Sequence, residues 1–281
     1  MPALTAVSTP AGAAQTWELW SCTMRLVVGE PAALPAARRL VDRELQAVED
    51  AASRFRPDSE ITALAARAGR PTRISQTLAN LLGAALDAAR DTGGAVDPTL
   101  GHPLAALGYD RDIALVRAAG PGVTVRRRPS PGWTRIHLDT ERREVTVQDG
   151  VVIDVGATAK AWAADRCARV VAHTLGTPVL VSLGGDIATA GGDPGRPWQI
   201  LVQDRREDPA AQIGLAVGAA VATSSTQSRQ WHCEGHQLHH ILDPRTALPV
   251  APVWRSVSVV ADSALEANTW STAAIVRGEQ A

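Results

Sequence analysis

Lysine and cysteine are scarce in this chain, and no long apolar run occurs in it. Of 28 basic residues in 281 only Lys160 is a lysine; the rest are arginine. So much Ala and Arg reads as compositional bias, which makes a lysine kept once worth following. Cys22, Cys167 and Cys233 lie far apart without CxxC spacing, which excludes a disulfide framework and a zinc ribbon. A formal net charge of −1 and a pI near 6.7 leave no general basicity for a nucleic-acid surface. No apolar stretch approaches the ~20 residues that span a bilayer, so no transmembrane segment is expected. Residues 1–16 are rich in Ala, Pro and Thr, with no basic or apolar region of the kind a signal peptide needs. No hydrophobic segment precedes Cys22, so a lipoprotein box is rejected as well. A disordered lead-in over residues 1–16 and a cytoplasmic location are expected.

What is present is ordinary globular composition, 45% hydrophobic and 20% charged, with length for one large domain or two small ones. Alternation predicts a strand over Trp17–Val28, and apolar spacing at Leu40, Val41, Leu45 and Val48 predicts a helix over Pro35–Arg56. Further helices are expected over Ile61–Ala68 and Gln76–Thr92, the latter ending at Gly93-Gly94. The Pro/Gly/Arg-rich stretch 120–131 reads as an exposed loop. A hairpin is expected from Ile136–Leu138 and Val145–Val147, with a buried strand over Val151–Asp154. Strands are further expected over Val179–Ser182, Trp198–Val202, Gly214–Val221 and Val253–Val260, and a helix over Ala264–Val276. Strands and helices alternate irregularly, so a mixed α/β, α+β class fits better than repeated βαβ units.

Several stretches carry chemistry-bearing residues. Ile153–Lys160 runs from a strand into a helix through a Gly-containing turn, which exposes backbone N–H groups at a positive helix end suited to phosphate. Lys160 stands in the first turn of that helix. The pair Gly184-Gly185 permits close backbone approach, and Ala222–Thr226 presents a cluster of hydroxyls. The stretch His236–Thr246 packs three histidines against an Asp-Pro turn. If Leu238–Leu242 is one strand, His240 shares a face with Leu238 and Leu242, and His239 points the other way. A solvated loop with spare histidines is the plain alternative. A zinc hydrolase built on His232, Cys233, His236 and His239 is a rival, since His232 and His236 stand four apart, the helical spacing of paired zinc ligands, although Gly235 interrupts such a helix. The many tryptophans leave a non-enzymatic interaction module as a further alternative.

Taken together and in order, the motifs resemble the FAD:protein FMN transferases, the ApbE-like flavin transferases. They are Ser53–Glu60, Asp97–Gly101, Asp154–Lys160, Ser182–Asp186, Ala222–Ser224 and His240–Thr246. The resemblance implies one ApbE-like domain over residues 17–281, with mostly antiparallel sheet regions flanked by helices in two intimately packed halves. The family's final helix and strand are expected to be absent, and family analogy leaves an exported location as the alternative to a cytoplasmic one. It implies an FAD site with Trp20, Phe55, Val96 and Asp97 on the flavin side, and Asp154 and Lys160 in contact with FAD. Gly184, Gly185, Asp186, Thr223, Ser224 and Ser256 complete the cofactor-side set. It further implies Mg²⁺ held by the carbonyl of Ala157 and the side chains of Asn268, Ser271 and Thr272.

The implied reaction moves FMN from FAD to a threonine hydroxyl of an acceptor flavoprotein and releases AMP. His240 matches the histidine implicated in transfer, with Asp243 within reach. An FAD-binding protein or an FAD pyrophosphatase remains the alternative on the same fold. Asn268 departs from the family's usual Asp, which removes one negative charge from the metal set. Ala161, Ala247 and Ser225 stand where glycine is usual, and Ser21-Cys22 where a Gly-Thr pair is.

Overall fold

The computed structural model describes residues 5–7, 12–118, 130–203, 207–233 and 235–281. The chain divides into two compact units, each assembled from three stretches. Met1–Gln46, Lys160–Ser225 and Ser256–Ser271 form the first; Ala47–Ala159, Thr226–Arg255 and Thr272–Ala281 form the second. Among the described residues every strand pairing is antiparallel, and helices accompany the sheets, so the class is α+β.

The first unit is built on a six-stranded sheet. Its order is Ser256–Ala261, Ala220–Ser225, Asp186–Ala190, Val179–Leu183, Cys22–Val28, Ala13–Leu19. Val179–Leu183 is buried at every position. Its apolar run is what a strand covered on both faces requires. A second sheet of three strands, Thr5–Val7, Trp198–Val202 and Ala211–Leu215, joins it. Val27, Leu180, Ile187, Trp198, Ile200, Leu215 and Val221 form the shared core. The helix Leu34–Ala52 buries Ala37, Val41, Leu45 and Val48, the 3-4 spacing of one helical face.

The structure corrects several expectations. The strand expected over Trp17–Val28 is a hairpin, Ala13–Leu19 against Cys22–Val28, turning at Trp20-Ser21. Residues 1–4 and 8–11 of the expected disordered lead-in lie outside the described residues, but Thr5–Val7 and Ala13–Thr16 are strand. The strand expected over Gly214–Val221 is two strands, because Gly218 at φ +80° turns the chain between Leu215 and Ala220. The loop expected at 120–131 falls largely outside the described residues.

The second unit carries the helices Gln76–Asp91, Gly101–Ala106 and Ile113–Ala118. A three-stranded sheet adds Thr72–Arg73 to the expected hairpin, here Ile136–Asp139 and Glu144–Val147. Its core gathers Leu104, Leu107, Tyr109, Ile113, Val116, Trp231 and Leu242. Val151–Asp154, expected as a buried strand, joins no ladder. It is tied by single bonds instead, Asp154 N–H to the Pro98 carbonyl (2.8 Å) and Gly101 N–H to the Val152 carbonyl (3.2 Å). Among the described residues no helix is long and apolar enough to cross a membrane.

Candidate active site

In the first unit the lone lysine finds a partner. Lys160, in the opening turn of the helix Ala159–Leu175, places Nζ 2.6 Å from Asp186 Oδ2. Asp186 opens the strand Asp186–Ala190 and is 1% exposed, so its charge needs compensation. The two-residue turn before it makes the approach possible. Gly184 and Gly185 have φ of +64° and +99°, and a Cβ on Gly184 would come within 3.0 Å of Cys22 and 3.7 Å of the Lys160 stem. The second oxygen of Asp186 accepts from Asn268 Nδ2 at 3.1 Å.

That bond settles the orientation of the Asn268 amide. An ionised carboxylate only accepts, so the amide nitrogen must face it. Asn268 Oδ1 then points away and is buried with no hydrogen-bond partner. One turn on, Ser271 Oγ lies 2.9 Å from Ser224 Oγ and donates to the Asn268 carbonyl at 3.1 Å. Asp165, unanticipated from sequence, sets the helix that carries both residues. Its carboxylate accepts from the first N–H groups of the helix Ala264–Arg277, at Ala264 (2.8 Å) and Leu265 (3.0 Å). Burial raises its proton affinity, and those two bonds partly offset the shift. Thr223 pairs with Ser258 side chain to side chain at 2.7 Å, and Ser256 opens the neighbouring strand opposite Ser225. Trp20 and Ser21 make the hairpin turn with φ of 52° and 53°. Such a turn needs left-handed backbone at both positions, and neither residue is glycine.

In the second unit Asp154 is held on both oxygens. Oδ1 accepts from Gly156 N–H at 2.6 Å and Oδ2 from Arg54 Nε at 2.6 Å. A Cβ on Gly156 would sit 2.8 Å from that carboxylate, so a side chain there would push the carboxylate off this bond. The Arg54 guanidinium lies over Phe55 (4.3 Å) and Tyr109 (4.8 Å), and Tyr109 packs on Trp231 at 5.3 Å. Phe55 itself is 40% exposed, which leaves a ring surface beside a buried ion pair. Arg54, Tyr109 and Trp231 were not anticipated as neighbours of Asp154; pairings so distant in sequence leave no local pattern. Asp97 is buried, its oxygens taken by Thr99 N–H (2.8 Å), Thr99 Oγ1 (2.7 Å) and Trp133 N–H (3.2 Å). Val96 donates its N–H to Thr92 Oγ1.

The histidine stretch differs from its expected form. His236–His239 pairs with Gln230–Cys233 as a hairpin, so the helical spacing of His232 and His236 does not exist. Among the described residues no group of three His, Cys, Asp or Glu is placed to hold a metal ion. The strand expected over Leu238–Leu242 stops at His239 and resumes at Leu242. His239 is the buried histidine, its Nε2 3.0 Å from the Val250 carbonyl, while His240 is half-buried. Burial lowers the proton affinity of His239, outweighing the opposite effect of that bond. Asp243 is occupied by its own turn. Its carboxylate accepts from Arg245 N–H (2.9 Å), Nε (3.1 Å) and Nη2 (3.0 Å). Burial raises its pKa, and the Arg245 bonds and charge overcome that and leave it below the usual carboxylate range. Ala157 is exposed and Thr272 half-buried, both in this unit.

The unpartnered Asn268 Oδ1 and the Ser271 hydroxyl are neutral oxygen donors of the kind a hard cation accepts, so these residues fit Mg²⁺.

Known proteins share this chain's sequence and fold. A FAD:protein FMN transferase of Treponema pallidum is 31% identical over 283 residues, covering 92% of this chain and 76% of its own. One from Klebsiella pneumoniae is 26% identical, with 90% and 75% covered. The crystal structure of the ApbE protein from Thermotoga maritima superposes with a TM-score of 0.82 at 27% identity, over 95% of this chain and 87% of that one. The apo flavinyl transferase ApbE of Pseudomonas stutzeri shares the fold, with a TM-score of 0.76 at 24% identity over 94% and 84% of the two chains. The ApbE family model matches residues 19–281, nearly the whole chain. The chain belongs to the ApbE family.

Proposed function

We propose that this protein transfers FMN from FAD to a threonine hydroxyl of an acceptor flavoprotein and releases AMP. The observation that carries this reading is the family match over residues 19–281, whose relatives are FAD:protein FMN transferases. The hydroxyl oxygen forms a bond to the FMN-side phosphorus. The bond from that phosphorus to the bridging oxygen breaks, and the oxygen leaves with AMP. The hydroxyl proton goes to His240, the proposed general base.

The remaining residues bind and orient. Lys160 brings positive charge to the pyrophosphate from a helix N-terminal turn, where backbone N–H groups also favour anions. Its partner Asp186 holds it there and aligns Asn268. The Phe55 ring offers an apolar face to the flavin, with Arg54 and Asp154 fixed behind it. Asp243 serves as the turn former that carries His240, since Arg245 occupies its carboxylate. A magnesium ion, for which Asn268 and Ser271 would supply oxygen ligands, would neutralise phosphate charge during displacement.

Co-expression with a candidate acceptor tests this, reading covalent flavin by in-gel fluorescence. A fluorescent acceptor band that disappears when the target threonine is changed to alanine is expected. FAD binding without any labelled acceptor contradicts the transfer. AMP and FMN released without acceptor would instead identify a pyrophosphatase.

A further inference from the structure

We propose that His239 is a positioning residue for the proposed base, His240: its bond to Val250 holds the backbone on which His240 stands. This rests on the reading of His240 as the base. The ladder that would ordinarily fix this segment is missing where it matters. His236–His239 belongs to one hairpin and Leu242–Asp243 to another, and His240-Ile241 lies in the interval between them.

One residue bridges that interval. Val250 accepts from His239 Nε2 at 3.0 Å through its carbonyl and donates its N–H to the Ile241 carbonyl at 3.1 Å. The residues on either side of His240 are thus tied to the same point. The next rung, Leu242 opposite Pro249, continues the pairing.

The chemistry of the bond is determined by its partner. A carbonyl has only lone pairs, so Nε2 must carry the proton. Nδ1 is buried without a hydrogen-bond partner, so it is the lone-pair nitrogen of a neutral ring. His239 is 7% exposed, which keeps solvent from competing for the Val250 carbonyl. A second histidine beside a base commonly suggests a shared catalytic role. Here its donor nitrogen is committed to the backbone, and the role left to it is to position.

The test compares wild type with His239→Leu, which removes the donor but keeps an apolar side chain, and His239→Gln, whose Nε2 can restore it. Single-turnover transfer to the acceptor is measured beside FAD affinity and amide hydrogen exchange at Val250. Displacing a reacting group by about 1 Å costs about a hundredfold, so His239→Leu is expected to slow transfer at least about tenfold. FAD affinity should stay within about twofold, since the change is in positioning rather than uniform binding. His239→Gln should regain most of the rate, and Val250 exchange should accelerate in the leucine variant alone.

Wild-type transfer rates in His239→Leu overturn the proposal, as does a glutamine variant as slow as the leucine one. If wild type transfers nothing, the functional reading fails first. Unchanged Val250 exchange in both variants would then overturn the positioning role by itself. If His239→Leu does not fold, His239→Gln decides: slow transfer with fast Val250 exchange contradicts the bond assigned here.

Discussion

Lys160, Asp186 and Asn268 are carried by a helix of 17 residues, a strand of 5 in the middle of a sheet, and a helix of 14. His239, His240 and Asp243 stand on or between strands of 4 and 2 residues. In the first unit, long elements with buried faces deliver the side chains, and ion pairing then fixes their orientation. In the second, the regular structure around these residues is too short for that, so individual bonds take its place: Val250 to His239, Arg245 to Asp243, Arg54 to Asp154. Substitutions in the first unit should therefore cost mainly stability, and those in the second mainly geometry.

The largest effect is expected for Lys160→Met. It leaves Asp186 buried without its counter-charge, and breaking a buried pair this way costs about 3–5 kcal/mol. Urea unfolding measures it; a loss below about 1 kcal/mol would place the pair among exposed bridges. Asp165→Ala should follow, at about 1–2 kcal/mol, since it uncaps the helix that carries Asn268. The same unfolding experiment reads it.

Some of this was legible in the sequence. The Gly184-Gly185 turn, the Lys160 helix start and the Asn268 helix follow from local pattern, because turns and amphipathic helices are written in neighbouring residues. The Trp20-Ser21 turn was not, since its left-handed positions hold residues that ordinarily avoid them. Nor was the burial of His239. Alternation assigns faces only along an unbroken strand, and this one breaks at His240. The Arg54–Asp154 pair and the Tyr109–Trp231 stack join residues far apart in the chain, where no spacing rule reaches.

Smaller effects sharpen the contrast between the units. Ala247 sits at φ +57°, in the left-handed region that favours glycine. Ala247→Gly should therefore stabilise by about 1 kcal/mol, the cost of left-handed backbone for a residue with a Cβ. Thermal unfolding checks this, and a lower midpoint would show that the turn relies on the methyl group. The smallest effect appears only on acidification. His239 has a folded pKa below its ordinary 6.5, so the unfolded chain binds the extra proton first. Its contribution is therefore fully present above pH 6.5 and is lost as pH falls from there toward the folded value. His239→Gln should flatten the slope of stability with pH in that window, which unfolding curves at several pH values would record.

The central claim is tested most directly by incubating purified protein with FAD, Mg²⁺ and a purified acceptor, and following both products together. The account predicts an acceptor heavier by one FMN less one water on a threonine, and one AMP released for each acceptor modified. AMP released with no gain in acceptor mass, or no AMP at all despite bound FAD, would contradict it.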